Sequence, residues 1–192
     1  IDRREEQYAS IAMGGFSKGM TPLQMTAAYT VFANQGVYSE PHTYTQVLDY
    51  EGRTLLVGKA EQKQVYAPET IFIMNDMLAD VVRRGTGYPE GIVKYTTTAE
   101  DANGKQKETT VTIPSAGKTG TTDENKDKWF CGYTPYYVGA AWYGYDSGVK
   151  LSSGEYNNAK ILWGKVMTLI HQDLPSKPFF DTTPADVVKV PI

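Results

Sequence analysis

A single cysteine, Cys131, leaves the chain unable to close an internal disulfide, so no disulfide framework organises it and its composition points to no redox compartment. Histidine is nearly as scarce. His42 and His171 stand apart from each other and from any cysteine or acidic cluster, so neither a metal site nor a cofactor is expected. There is no surplus of either charge: the formal net charge is -3, the pI is near 5.4, and no lysine and arginine cluster offsets them locally. Nucleic acid is therefore not an expected partner. No apolar run reaches membrane-spanning length, and the opening Ile1-Asp2-Arg3-Arg4-Glu5-Glu6-Gln7 is too charged for the apolar part of a signal peptide. That opening runs without a turn signal into Tyr8-Ala9-Ser10-Ile11-Ala12-Met13 and Gly14-Gly15, so residue 1 reads as an artificial beginning. Any targeting segment is expected to lie outside these residues.

What is present suits one ordinary core or a large piece of a bigger one: 192 residues, 41% of them hydrophobic. Thr21 can cap a helix, Pro22 suits its first position, and Leu23, Ala27, Tyr29, Val31 and Phe32 supply apolar positions before Gly36. Two β-prone runs, 44–50 and 53–57, flank Glu51-Gly52 and predict a hairpin. Pro68 opens a second helical pattern through Ile71, Met74, Leu78, Val81 and Val82, ended by Gly85-Thr86-Gly87. The threonine-rich stretch that follows, with Asn103-Gly104 as its turn, predicts a projecting hairpin inserted at 93–112. Three β-type runs succeed it, 116–122, 129–133 and 137–145, and the short connection Thr134-Pro135-Tyr136 implies antiparallel neighbours. A last helix over about 156–171 carries Ile161, Leu162, Val166, Leu169 and Ile170 on one side, and 175–192 is a proline-punctuated tail.

The chemistry concentrates in Gly117-Lys118-Thr119-Gly120-Thr121-Thr122. A phosphate-binding loop is excluded, because Thr112 stands where its first glycine is needed and Gly120-Thr121-Thr122 replaces the helix that should follow the lysine. On a strand, the same run aligns an ammonium, hydroxyls and a position without a side chain, against which an anionic acyl substrate can lie as an added strand. A serine nucleophile with a lysine three positions on is matched by letters at Ser115/Lys118 and Ser147/Lys150. The first pair falls on a strand, where that offset sends side chains to opposite faces, and the second falls in a turn after Asp146 and around Gly148. No serine is followed two positions later by asparagine. The acylation machinery is therefore incomplete within these residues.

Together with Asp127-Lys128-Trp129-Phe130-Cys131-Gly132-Tyr133-Thr134-Pro135, the Lys-Thr-Gly run resembles the C-terminal half of the transpeptidase domain of class A, bifunctional penicillin-binding proteins. Gly14-Gly15 to Gly36-Val37-Tyr38 resembles the helical segment after that family's serine-asparagine motif, and Arg84-Gly85-Thr86-Gly87 resembles the turn before its active-site strand. A lone Lys-Thr-Gly is weak evidence; the two strands at this spacing are strong. The resemblance implies an α+β fold, an antiparallel sheet covered by helices as in penicillin-binding proteins and serine β-lactamases, with 1–192 as the C-terminal part of one such domain. It further implies a serine-type D,D-transpeptidase that cross-links peptidoglycan stem peptides and is acylated by β-lactams. Its nucleophile would sit on an upstream half carrying the Ser-x-x-Lys and Ser-x-Asn motifs, and the protein would be anchored at the extracytoplasmic face of a bacterial membrane.

By the same resemblance, Lys118 and Thr121 take catalytic roles: Lys118 supplies positive potential beside the nucleophile, and the Thr121 N–H is one donor of an oxyanion hole. Thr119, Gly120, Thr121, Thr122 and Trp129 contact substrate, the Thr119 and Thr121 hydroxyls holding its terminal carboxylate. Duller readings accompany each. Lys118 is otherwise a solvated strand lysine, Thr119 and Thr121 are ordinary on a half-exposed strand, and Trp129, Phe130 and Tyr133 are otherwise core. Cys131 shares a face with Trp129, has no histidine near it in sequence, and reads as a buried inert thiol. Two alternatives to a transpeptidase are a non-catalytic penicillin sensor or stem-peptide-binding module of the same fold, and a serine β-lactamase, which does not suit the run 129–135.

Overall fold

The computed structural model describes residues 9–16, 18–100, 104–188 and 190. The charged opening 1–7 and Asn103 of the expected Asn103-Gly104 turn lie outside the described residues. Helix α1 (Pro22–Ala33) begins where the sequence predicts. Its start is fixed reciprocally: the Thr21 hydroxyl accepts from the Gln24 N–H at 3.2 Å, while the Gln24 side chain accepts from the Thr21 N–H at 2.9 Å. Ala27 and Val31 are its buried positions, whereas Leu23, placed in the apolar set, is 61% exposed.

Strand β1 (Val37–Ser39) follows, then the hairpin β2 (Gln46–Leu48) and β3 (Thr54–Val57), whose turn the Asp49 carboxylate closes by accepting from the Glu51 and Arg53 N–H groups. Strand β4 (Gln62–Gln64) returns to pair antiparallel with β1, a ladder that the sequence did not announce because neither run alternates apolar and polar residues over a useful length. Helix α2 (Pro68–Arg83) buries Ile71, Asn75, Leu78, Ala79 and Val82, successive positions on one helical face.

Strands β5 (Val93–Glu100) and β6 (Gln106–Ile113) pair over their full length, rooted by the buried pair Val93 and Ile113 and exposed toward the far end. Then come β7 (Ala116–Thr121), β8 (Asp127–Tyr133) and β9 (Val138–Gly144), an antiparallel sheet in the order β7-β8-β9. Helix α3 (Asn158–Ile170) lies against one face. Phe130 and Trp163 meet there edge to face, with ring centroids 4.9 Å apart, among Val82, Val93, Ile113, Ala141, Ala159 and Met167. On the other face Ala116 and Tyr133 pack with Leu78 and Ala79 of α2 and with Tyr29 and Phe32 of α1. The Tyr133 hydroxyl donates to Asn75 Oδ1 at 2.5 Å, and Asn75 donates to the Phe32 carbonyl at 3.2 Å, so one buried polar bridge ties sheet and both helices. The result is the expected antiparallel sheet covered by helices.

The aliphatic side of α3 is not its buried side. The set Ile161, Leu162, Val166, Leu169 and Ile170 marks α3's apolar side in the sequence, yet Leu162, Val166, Leu169 and Ile170 are 44–63% exposed. The helix instead turns Ala159, Lys160, Trp163, Gly164 and Met167 inward. The indole of Trp163 and the thioether of Met167 pack with Phe130 and the sheet, and Gly164 lets the helix backbone come close, so this stripe faces inward although it is the less hydrophobic of the two.

Candidate active site

The Lys-Thr-Gly run lies on β7, at the edge of the three-stranded sheet. On one side each of its residues is matched on β8: Lys118 with Cys131, Thr119 with Phe130, Gly120 with Trp129 and Thr121 with Lys128. On its other side β7 pairs with no strand among the described residues, which leaves main-chain donors and acceptors available to an extended ligand. Directly paired residues of antiparallel strands share a face, so Lys118, Gly120, Cys131 and Trp129 point one way and Thr119 and Thr121 the other.

Lys118 is exposed, with its ammonium donating to the Thr119 carbonyl at 2.9 Å. Thr119 is half-buried, and its Oγ1 lies 2.6 Å from Thr86 Oγ1, in the turn that follows α2. A side chain at Gly120 would press against Trp129, its Cβ only 3.2 Å from that of the tryptophan. Thr121 is exposed at the strand end. Thr122 has left the strand: its hydroxyl accepts from the Asp127 N–H at 3.1 Å and so closes the β7–β8 connection. Trp129 is half-buried, and its carbonyl accepts from the Asn157 side chain at 3.1 Å. Asn157 Oδ1 in turn accepts from the Lys160 N–H at 3.3 Å, so the start of α3 is fastened to the strand beside the Lys-Thr-Gly run.

The two serine-lysine letter matches stay apart from this chemistry. The buried Ser115 hydroxyl donates to the Gly91 carbonyl at 2.8 Å and precedes β7, while Ser147 sits in a turn closed by Gly148 N–H to Tyr145 O at 2.8 Å. Neither lies on a helix. Cys131 is 3% exposed, and burial pushes its thiol up to about 12, so it carries no thiolate near neutrality. His171 is buried between Thr134 Oγ1, 2.7 Å from Nε2, and the Met167 carbonyl, 2.6 Å from Nδ1; burial lowers its pKa, only partly opposed by the Met167 contact. Among the described residues no group of three or more histidine, cysteine or acidic side chains could hold a metal ion.

The sequence missed the group that supports this strand from behind. Lys160, on the first turn of α3, is 7% exposed and pairs with Glu90 at 2.9 Å. The Tyr156 hydroxyl donates to the other Glu90 oxygen, and the Tyr156 ring lies 4.7 Å from the ammonium. Burial alone would draw Lys160 down, but the Glu90 and Tyr156 hydrogen bonds and the Glu90 charge outweigh it and hold its pKa above that of free lysine. A lysine at a helix start, seventy residues from its partner, offers no sequence signal.

A family model described as the penicillin binding protein transpeptidase domain matches residues 3–147. The chain belongs to that family. This transpeptidase-family chain is 39% identical over 189 residues to penicillin-binding protein 1A of Clostridium botulinum, covering 98% of this chain and 21% of that protein. It is also 39% identical over 146 residues to penicillin-binding protein 1F of Bacillus subtilis, covering 76% of this chain and 18% of that protein. The chain thus spans about a fifth of the length of the curated relatives it matches. Among solved structures, penicillin-binding protein 1A from Haemophilus influenzae aligns with a TM-score of 0.66 at 20% identity, covering 86% of this chain and 28% of that one, a likeness of fold. The D,D-transpeptidase domain of a peptidoglycan glycosyltransferase from Eggerthella lenta aligns at 0.55 with 26% identity, covering 80% and 33% respectively. The resemblance to class A penicillin-binding proteins and their fold is borne out by these matches.

Proposed function

We propose that this chain is the Lys-Thr-Gly-bearing part of a serine D,D-transpeptidase, and that the attacking serine belongs to polypeptide outside these 192 residues. In this reading the donor stem peptide lies along the outer edge of β7 as an added strand. The serine attacks its D-alanyl-D-alanine carbonyl, D-alanine leaves, and the acyl group passes to the amine of a neighbouring stem; a β-lactam acylates the same serine. Lys118 lends positive potential, and the Thr119 and Thr121 hydroxyls bind the terminal carboxylate. The Thr121 N–H donates to the oxyanion, a contact whose loss costs about 10²- to 10³-fold in turnover in comparable sites. Thr122 and Trp129 complete the substrate contacts in this reading, and no cofactor enters the scheme.

The observation that carries this reading is that the run 118–121 occupies the exposed half of an edge strand with open main-chain groups. A second observation supports polypeptide beyond these residues. The accessible surface is 13129 Å² for 21.3 kDa, against about 9,100 Å² for a compact monomer of that mass. Leu162, Val166 and Leu169 are exposed apolar side chains on one side of α3. No helix among the described residues is long and apolar enough to cross a membrane, so anchoring at the extracytoplasmic face falls to a further segment in this scheme.

Intact-mass measurement with a labelled penicillin tests the proposal on two polypeptides, these residues alone and the same residues extended to include the Ser-x-x-Lys segment. The expected result is an adduct on the second only. An adduct on the first, mapped to Ser115, Ser147 or Cys131, would overturn the assignment. Acylation without transfer from a stem-peptide donor would instead identify a penicillin sensor.

A further inference from the structure

We propose that Lys160, Glu90 and Tyr156 form a positioning clamp that holds the Thr86 hydroxyl against Thr119 and thereby sets the grip of the Lys-Thr-Gly strand on the carboxylate of an acyl donor, an inference that rests on the transpeptidase reading. The ammonium of Lys160 distributes its donors over Glu90 Oε2 at 2.9 Å, the Tyr88 carbonyl at 3.3 Å and the Thr86 carbonyl at 3.4 Å. Apart from that ammonium, the buried Glu90 Oε2 has no partner among the described residues. The turn is also held from two other directions. A Cβ on Gly164 would stand 2.1 Å from the Glu90 carbonyl, so α3 rests directly on the turn, and Ser115, just before β7, donates to the Gly91 carbonyl at 2.8 Å.

Residues 86–91 are thus held between α3 and the segment that leads into β7, and Thr86 reaches the Lys-Thr-Gly run with its Oγ1 2.6 Å from Thr119 Oγ1. A hydroxyl carries one proton and two lone pairs. With Thr86 donating to Thr119, the Thr119 proton is left free to point outward at an anion. A partly buried ion pair contributes little net stability, because desolvation offsets most of the attraction. Apolar residues would brace the turn as well; what the charged cluster adds is a fixed place for the Thr86 backbone.

The test uses the full-length protein that contains this segment and two probes, benzylpenicillin and its methyl ester, which lacks the free carboxylate. Lys160→Met and Thr86→Val should each slow acylation by benzylpenicillin about tenfold, with the methyl ester slowed less than about twofold. Because both act through Thr119, the double variant should be no slower than either single one, and Lys160→Arg should recover part of the rate. Equal slowing of both probes, or multiplicative effects in the double variant, would reduce the cluster to a structural role and overturn the proposal. Thr86 is exposed, so Thr86→Val decides the matter even where Lys160→Met fails to fold: an unchanged benzylpenicillin rate overturns the clamp. A wild type that takes up neither probe removes the transpeptidase reading itself, a different failure from one in which Thr119→Val slows benzylpenicillin and Thr86→Val does not.

Discussion

The two halves of β7 share one hydrogen-bonded ladder with β8 and meet opposite demands. Ala116 and Gly117 are buried, the first against Tyr133 and the helices α1 and α2, the second beneath Phe130, whereas Lys118 is exposed and Thr119 to Thr121 are half-buried or exposed. A Cβ on Gly117 would lie 2.7 Å from the Cys131 carbonyl oxygen and 2.9 Å from both Gly132 Cα and the Phe130 ring. Two residues later, Thr119 carries its branched side chain with room for a hydroxyl contact to Thr86. Within six residues the strand passes from packing to chemistry. Anchoring one end of an edge strand in the core fixes where the other end lies while its outer main chain stays open.

Gly117→Ala should produce the largest loss of stability, about 1–3 kcal/mol, because carbonyl and Cα atoms of β8 must shift to admit one methyl group. Thermal unfolding should then begin several degrees lower; roughly 2–4 °C accompany each kcal/mol in a chain of this size. An unchanged melting curve would mean that the buried half of β7 is looser than its contacts imply.

Acidification probes the packing at the end of α3 with a smaller effect. His171 resists protonation in the fold because burial disfavours its charge, whereas in the unfolded chain it protonates at about pH 6.5. Its folded pKa is the lower of the two, so the unfolded state binds more protons between them. Stability is therefore full above the unfolded value and declines as pH falls below it. His171→Gln should flatten that part of a plot of melting temperature against pH, and an identical slope in wild type and variant would remove His171 as the cause.

The smallest effect on stability is expected at the exposed end. Thr119→Val with Thr121→Val should move unfolding by no more than about 0.5 kcal/mol while slowing penicillin acylation of the full-length protein by about a hundredfold, two charged-partner hydrogen bonds having gone. A double variant that melts as low as Gly117→Ala would erase the contrast between the halves.

Much of this was legible in the sequence, for reasons particular to each place. Thr21 and Pro22 mark the start of α1 because a cap and a pre-set φ act locally, and Glu51-Gly52 marks its hairpin for the same reason. The alternation of 129–133 correctly set Cys131 and Trp129 opposite Phe130. The inward side of α3 was not legible, since two apolar stripes compete on that helix and only the shape of the sheet beneath it selects Trp163 and Met167. The β1–β4 ladder escaped notice because its strands are three residues long and join across the β2–β3 hairpin. Thr122 reads in the sequence as a strand threonine like Thr119 and Thr121, and its hydroxyl instead closes a turn. The contact of Thr86 with Thr119 spans thirty-three positions and leaves no periodic trace.

By itself the sequence determined the helices α1 and α2, the three-strand series and the run of lysine, threonine and glycine that marks the family, because caps, turns and alternation are short-range properties of neighbouring residues. Tertiary structure alone decided that β7 is an edge strand, that α3 turns Lys160 toward Glu90, and that Thr86 meets Thr119. Those outcomes depend on which surfaces pack together across long stretches of chain, and the burial of shape and charge that selects among them has no counterpart in local order.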